Sequence, residues 1–259
     1  MYKEMSLLKK KLRGLSLRVF DLVENNGNCD FGKNGEENFI NNLIASFKKS
    51  CNKKVVFDIG ANVGNYSKMI KDKANGLDMD LHLFEPTKNC FESISEKFKD
   101  DSAIFLNNFG ASSESGEAVI FYDREQSGLA SLYKRNLGAY GIELNQSETI
   151  RLKRLEEYIE ERNISHIDFI KIDIEGHELK AFEGFGRYLD GEFVDYIQFE
   201  YGGSNLDSHT SLLELYSFLD TKGFKVAKIM PKGLELRNYS PFMENFNYAN
   251  YVAISKRIV

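Results

Sequence analysis

The sequence predicts a doubly wound α/β domain: a mainly parallel, seven-stranded sheet with helices on both faces, preceded by a helical extension. Three observations carry this. Short β-branched and aromatic runs alternate with helical segments, the pattern of βαβ units. One such run, Lys54–Ile59 (KVVFDI), passes straight into a glycine turn and a helix. The chain has only 3 prolines and no low-complexity tract or repeat, so few places suit an interdomain connection.

Bulk properties fit. The 259 residues are 42% hydrophobic and 28% charged, enough to bury one sizeable core. The formal net charge of -5 argues against broad nucleic-acid binding, which needs a basic footprint. Cys29, Cys51 and Cys90 are far apart and only 4 His are present. Neither a disulfide framework nor a zinc site is expected, and a reducing, cytoplasmic location is. No apolar run approaches the roughly 20 residues of a membrane span. No signal-peptide pattern opens the chain.

The elements follow in order. Residues 1–24 mix Leu7, Leu8, Leu12, Leu15, Leu17, Val19 and Phe20 with Lys9, Lys10, Lys11, Arg13 and Arg18, a basic amphipathic helix. Such a helix either caps the core, meets another subunit of a homo-oligomer, or lies on an acidic membrane surface. Residues 25–35 read as loop and 36–49 as helix, so 1–51 are set apart as an extension of a domain spanning 52–259. Strand 54–59 and helix 66–73 come next. Strand 81–85 stops at Pro86, with Thr87 able to cap helix 89–98. Strands 104–106, 117–122 and 149–152 flank residues 123–147, a glycine-containing stretch without periodicity that reads as a mobile loop closing over substrate. Helix 154–162, strand 167–172, helix 176–189, strand 194–200, helix 211–221, strand 225–230 and a final strand 248–254 complete the pattern.

Ligands on such sheets bind beyond the carboxyl ends of the strands. Four features fall there. In Asp58-Ile59-Gly60-Ala61-Asn62-Val63-Gly64-Asn65-Tyr66 the glycines permit a strained turn and close approach of a ligand. The third glycine of a dinucleotide fingerprint is missing, which weakens a pyrophosphate cradle. Glu85, about 20 positions on, suits the two hydroxyls of a ribose, or else is a turn residue before Pro86. Asn108 could bind a purine edge or simply close a turn. In Lys171-Ile172-Asp173-Ile174-Glu175-Gly176-His177-Glu178, Asp173 and Glu175 are either site residues or acids that start a helix.

Together, Phe57–Gly64, Phe84-Glu85-Pro86, Asn108 with Ser112 and Gly116, Ile170–Glu178 and the tail Asn250–Ile254 resemble the FkbM-type methyltransferases. The resemblance covers roughly residues 52–256. It implies the Rossmann-like class I methyltransferase fold, S-adenosylmethionine as cofactor, and O-methylation of hydroxyls on sugars or other natural products. By motif match, Asp58, Gly60, Ala61, Asn62, Gly64 and Tyr66 would form the methionine-side turn. Glu85 with Pro86 would hold the ribose, Asn108 would sit near the adenine, and Asp173 near the methionine end or substrate.

A hydroxyl nucleophile benefits from a base, and His177, Asp173 and Glu200 are the candidates, with Glu175 beside them. Asp173, Glu175 and Glu200 could also hold Mg²⁺, although a metal-free site is the expectation. Lys134 and Arg135 could meet a phosphate of a nucleotide-sugar carrier, or be a solvated pair. The expected partner is a small molecule or glycan. The rivals are a nicotinamide-dependent oxidoreductase and a non-catalytic binding module on the same fold.

Overall fold

A computed structural model describes residues 5–259. Helix α1 (Leu7–Glu24) is capped by Ser6 and ends at Asn25, which takes a left-handed φ of 56°. Helix α2 (Glu36–Phe47) starts after Gly35 and buries Phe39, Ile40, Leu43, Ile44 and Phe47. Each such side chain contributes about 1.5–3 kcal/mol on burial, so α2 is part of the core. By contrast α1 buries no residue. It does not cap the core, and it meets the body through its last turn.

Then come β1 (Lys54–Ile59), α3 (Asn65–Lys73), β2 (Met79–Phe84), α4 (Lys88–Lys97), β3 (Ile104–Asn107), β4 (Gly110–Ala111), β5 (Gly116–Tyr122), β6 (Gln146–Lys153), α5 (Leu155–Arg162) and β7 (Ile167–Ile172). The chain finishes with α6 (Glu178–Gly184), β8 (Val194–Tyr201), α7 (Ser204–Ser208), α8 (Leu212–Thr221), β9 (Phe224–Met230), β10 (Gly233–Leu236) and β11 (Ala249–Ser255).

The main sheet runs β10-β9-β11-β8-β7-β1-β2-β3. Pairs from β3 to β8 are parallel, and β11 is antiparallel to both β8 and β9. Successive residues point to opposite faces. Phe57 and Ile59 enter a core shared with α5, α6 and α8, and Val56 a second core with α2, α3 and α4. This is the doubly wound architecture. Among the described residues no helix is long and apolar enough to cross a membrane.

Three details differ from expectation. The main sheet has eight strands, because β10 folds back on β9 as an antiparallel edge. Segments 116–122 and 146–153 leave it and pair antiparallel in a separate three-stranded sheet with β4. The reason is legible in burial: β7 is buried at every position, whereas β5 and β6 alternate, as a one-faced antiparallel pair does. Third, the helix expected over 176–189 shortens to α6 and a single 3₁₀ turn at Gly186–Tyr188. Glu175 (φ 51°) and Gly176 (φ 98°) are left-handed and cannot lie within a right-handed helix.

Candidate active site

Strand β1 is the switch point of the sheet: the chain goes on to β2 and β3 on one side and returns to β7 on the other. Ile59 pairs with both Phe84 and Ile172. Gly60, Glu85 and Asp173 therefore leave three adjacent strands at one level. Gly60 N donates to Phe84 O at 2.9 Å, and Asp173 N to Ile59 O at 3.0 Å.

A cavity of about 460 Å³ opens here, within the ~300–1,000 Å³ typical of small-molecule sites. Of the residues singled out in the sequence, Asp58, Gly60, Ala61, Asn62, Tyr66, Glu85, Pro86, Asp173 and His177 line it. Gly60 is indispensable to the turn. Its φ is 84°, and a Cβ there would lie 2.0 Å from Asp173 O. Asn62 (φ 48°) donates its backbone N–H to Glu85 Oε2 at 2.8 Å and its side-chain amide to Ser127 O at 2.9 Å. Glu85 Oε1 accepts from Thr87 N at 2.9 Å and Thr87 Oγ1 at 2.6 Å. The carboxylate is thus fixed in orientation at the wall of the cavity. Burial pushes it up, and the Thr87 hydrogen bonds pull it partly back.

Asp58 is buried beneath the turn and accepts from Ser67 Oγ. Burial pushes its carboxyl up, against the pull of Lys171. Lys171 Nζ donates to Asp173 Oδ2 at 2.9 Å and lies 5.1 Å from the centre of the Tyr66 ring. Burial alone would push this ammonium down. The carboxylates of Asp173, Asp58 and Glu36 outweigh it and raise the lysine above its ordinary range.

Three expected site residues, Asn108, Gly64 and Glu200, are not among those lining the cavity. Asn108 spends its amide on Glu85 O at 3.0 Å and Pro86 O at 3.2 Å, so it closes the turn. Gly64 caps α3 in the left-handed region, and a Cβ there would meet the Phe98 ring at 2.8 Å, so its smallness serves packing.

His177 is not a turn inside a helix, nor does it face solvent. It precedes α6, with Nε2 3.0 Å from Ser112 Oγ and Nδ1 3.0 Å from Tyr133 OH. Burial pushes its pKa down to about 4, so the ring is neutral near pH 7. With both nitrogens engaged, it acts as a strut rather than a free base. The acids of this loop do not start a helix either, since α6 begins only at Glu178.

Asp173, Glu175 and Glu200 present oxygens all within 4.8 Å of one another, although Glu200 itself does not line the cavity. Burial, with Asp173 and Glu175 as neighbours, pushes the Glu200 carboxyl well up. Burial and Asp173 push Glu175 up too, opposed by Arg135. Arg135 is not free to meet a phosphate. It pairs with Glu175 and, at 3.3 Å, with Asp207, while Lys134 is exposed.

The stretch 123–147 is docked across the cavity. Gln126–Gly128, Ala130 and Leu132 line it, and Ser131 Oγ donates to Glu175 O at 2.8 Å. Opposite, Gly110, Ala111, Ile120, Ile150 and Leu152 of the small sheet give an apolar wall suited to a flat ring.

Sequence reading missed Glu36, which lines the cavity from α2. It accepts from Gln198 Nε2 at 2.6 Å, and Tyr66 OH donates to Gln198 Oε1 at 2.7 Å. Tyr248 also lines the cavity. Nothing local marks Glu36, which lies more than twenty positions before the nearest motif. Tyr248 lies only two positions before the Asn250–Ile254 motif, where the pattern reads as strand rather than site.

The sequence profile described as methyltransferase FkbM domain matches residues 58–226. A hexuronic acid methyltransferase, AglP, of Haloferax volcanii is 26% identical over 156 residues, which are 60% of this chain and 58% of that protein. The chain thus spans little more than half of that relative. Among solved structures, a methyltransferase FkbM from Methylobacillus flagellatus is similar at TM-score 0.46 and 17% identity, over 78% of this chain and 44% of that one. A human methyltransferase 10 domain containing protein is similar at TM-score 0.43 and 11% identity, over 95% of this chain and 97% of that one.

Proposed function

The chain belongs to the FkbM methyltransferase family, and from that footing we propose that it transfers a methyl group from S-adenosylmethionine to a hydroxyl of a sugar, polysaccharide precursor or similar small natural product. The observation that carries the reading is the convergence of the Gly60 turn, Glu85 and Asp173 on one cavity. The residues present fit the cofactor. A fixed carboxylate suits a ribose diol, the apolar wall of the small sheet suits an adenine, and the carboxylate of Asp173 suits a cation. The family relation to a hexuronic acid methyltransferase supports a sugar acceptor.

The cofactor, when bound, supplies a methyl group already activated on a cationic sulfur. The protein has to align the acceptor oxygen, and positioning alone is worth about 7–11 kcal/mol. Glu85 and the Asn62 backbone fix one end of the cavity. Ser127 and Leu132 cover it and exclude water. Asp173 lines the cavity and takes the proton of the acceptor hydroxyl, while Lys171 holds it in place. His177 keeps Ser112 and Tyr133 at fixed separation beside it. The cluster of Asp173, Glu175 and Glu200 handles protons rather than Mg²⁺, because Lys171 and Arg135 already pair with it. Activity should therefore survive exhaustive EDTA treatment.

The test is calorimetry with S-adenosylhomocysteine and with NADH, followed by labelled methyl transfer to hexuronic-acid-containing saccharides. Binding of the first nucleoside and methylation of a saccharide hydroxyl are expected. Affinity for NADH alone, or cofactor binding with no methylation of any glycan or small-molecule pool, defeats the proposal.

A further inference from the structure

Helix α1 has an apolar stripe with nothing on it. Leu8, Leu12, Leu15, Val19 and Leu22 recur at spacings of three and four, and each is exposed, Leu8 at 77% and Leu22 at 82%. At 3.6 residues per turn these side chains and Val23 fall within about 100° of the helix surface, with Leu7 and Leu17 outside it.

The helix is fastened to the body by its last turn and on another side. Phe20 packs edge-on against Phe242 at 6.2 Å. Asp21 accepts from Asn247 Nδ2 at 3.0 Å, and Glu24 pairs with Arg237 and with Lys228 at 3.5 Å. These anchors centre roughly 160° around the helix from the stripe, so the stripe is turned away from the protein.

The charges decide what it faces. Lys9, Lys10, Lys11, Arg13 and Arg18 lie in residues 5–19, which hold no acid, while the whole chain is at -5. Lys11 and Arg18 border one edge of the stripe and Lys9 the other. Long cationic side chains at the edges of an apolar stripe reach naturally to phosphate groups. The three-four spacing would also suit a second copy of the helix. That pairing sets Lys9, Lys11 and Arg18 of each copy against cations of the other, with no acid among residues 5–19 to answer them and with Asp21 and Glu24 held by the body.

We propose that α1 docks this protein on an anionic lipid surface, its leucine stripe inserted at the interface and Lys9, Lys11 and Arg18 at its edges against lipid phosphates. The inference is independent of the methyl-transfer reading. It has a consequence for the site: Asn25 Nδ2 donates to Ile229 O at 3.1 Å and Gly27 N to Tyr248 O at 2.8 Å, and Tyr248 lines the cavity. The helix therefore leaves the body at the rim where the cavity lies.

The full chain is sedimented with vesicles of phosphatidylcholine alone, and of phosphatidylcholine with phosphatidylglycerol at about 2:1. Two variants are compared, Leu12→Glu with Leu15→Glu, and Lys9→Glu with Lys10→Glu and Lys11→Glu. Glutamate is a good helix former and all five positions are exposed, so an unchanged Tm certifies the body in each. Binding to the anionic vesicles only is expected, weakened about tenfold by the leucine variant and about a hundredfold by the lysine variant. It should also fall as salt rises from about 0.05 to 0.5 M. Absence of binding, or binding that neither variant weakens, overturns the proposal. So does self-association abolished by the leucine variant while anionic vesicles leave the protein in solution.

Discussion

At the scale of single residues, the site rests on positions where one atom decides the geometry. A methyl group at Gly60 has no room against Asp173 O and the backbone there is left-handed. Gly60→Ala should cost at least about 3 kcal/mol or prevent folding, read as the denaturant midpoint; wild-type stability would mean the turn can open without loss. Glu85→Gln keeps the hydrogen bonds of its neighbours only in part and loses the charge. S-adenosylhomocysteine should bind about tenfold more weakly, by calorimetry. Asp173→Asn should lower kcat by about a hundredfold or more with cofactor affinity nearly unchanged; equal loss in both would make Asp173 a binding residue. His82 offers a separate check on the core. Its Nδ1 lies 2.7 Å from Tyr158 OH and its ring stacks on Phe105 at 4.5 Å. Burial pushes its pKa down to about 4 from 6.5. Between those values the unfolded chain takes up a proton that the folded ring refuses, so stability falls as pH drops from 6.5 to 4. The contribution reaches about 3 kcal/mol. His82→Phe should flatten that part of the stability–pH curve; an unchanged slope would mean other groups carry it.

At the scale of elements, the structure turns on how residues 123–147 and the loop between β7 and α6 hold each other. Ser131, Tyr133 and Arg135 all reach the segment 175–177. The side chains of Arg135 and Glu175 are 8% and 13% exposed, so removing the guanidinium leaves a carboxyl in a dry place that keeps its proton near neutral pH. Arg135→Ala should cost about 1–3 kcal/mol near neutral pH, for the lost hydrogen bonds to Glu175 and Asp207. Arg135 is what pulls Glu175 down, so in the variant that carboxyl stays protonated to higher pH. A group raised above its unfolded value loses its stabilising effect as pH rises, and the variant should therefore weaken further through the alkaline range. Arg135→Lys should recover part of the loss, and a cost under 1 kcal/mol for Arg135→Ala would show that the pair is not needed. None of this docking was legible beforehand. The stretch lacks a period because its polar side chains are spent on partners forty residues away. The small sheet escaped for a different reason: β5 and β6 have the alternation of an antiparallel pair, but alternation alone does not say which sheet a short strand joins.

At the scale of the whole molecule, two consequences can be measured on intact protein. A ligand that binds only the folded state adds stability by mass action. S-adenosylhomocysteine at a hundred times its Kd should add about 2.7 kcal/mol and raise Tm by about 5–10 °C, with NADH giving no shift. Removing residues 1–19 should leave Tm within about 1 °C, because none of the described residues among them is buried; a large drop would mean that α1 is folded against something. The sequence by itself determined the winding of the sheet, the position of the glycine turn and the strand ends that face the ligand. Those follow from hydrophobic period and from glycine's freedom at positive φ, which are local properties of a few neighbouring residues. Only the tertiary structure decided that Glu36 and Tyr248 reach the cavity, that Asn108 and Gly64 do not, and that His177 is a strut between Ser112 and Tyr133. It alone decided that Arg135 is taken by Glu175, and that the stripe of α1 points away from the body. Burial and partner choice depend on which distant segments the fold brings into contact, and no window of sequence contains both sides of such a contact.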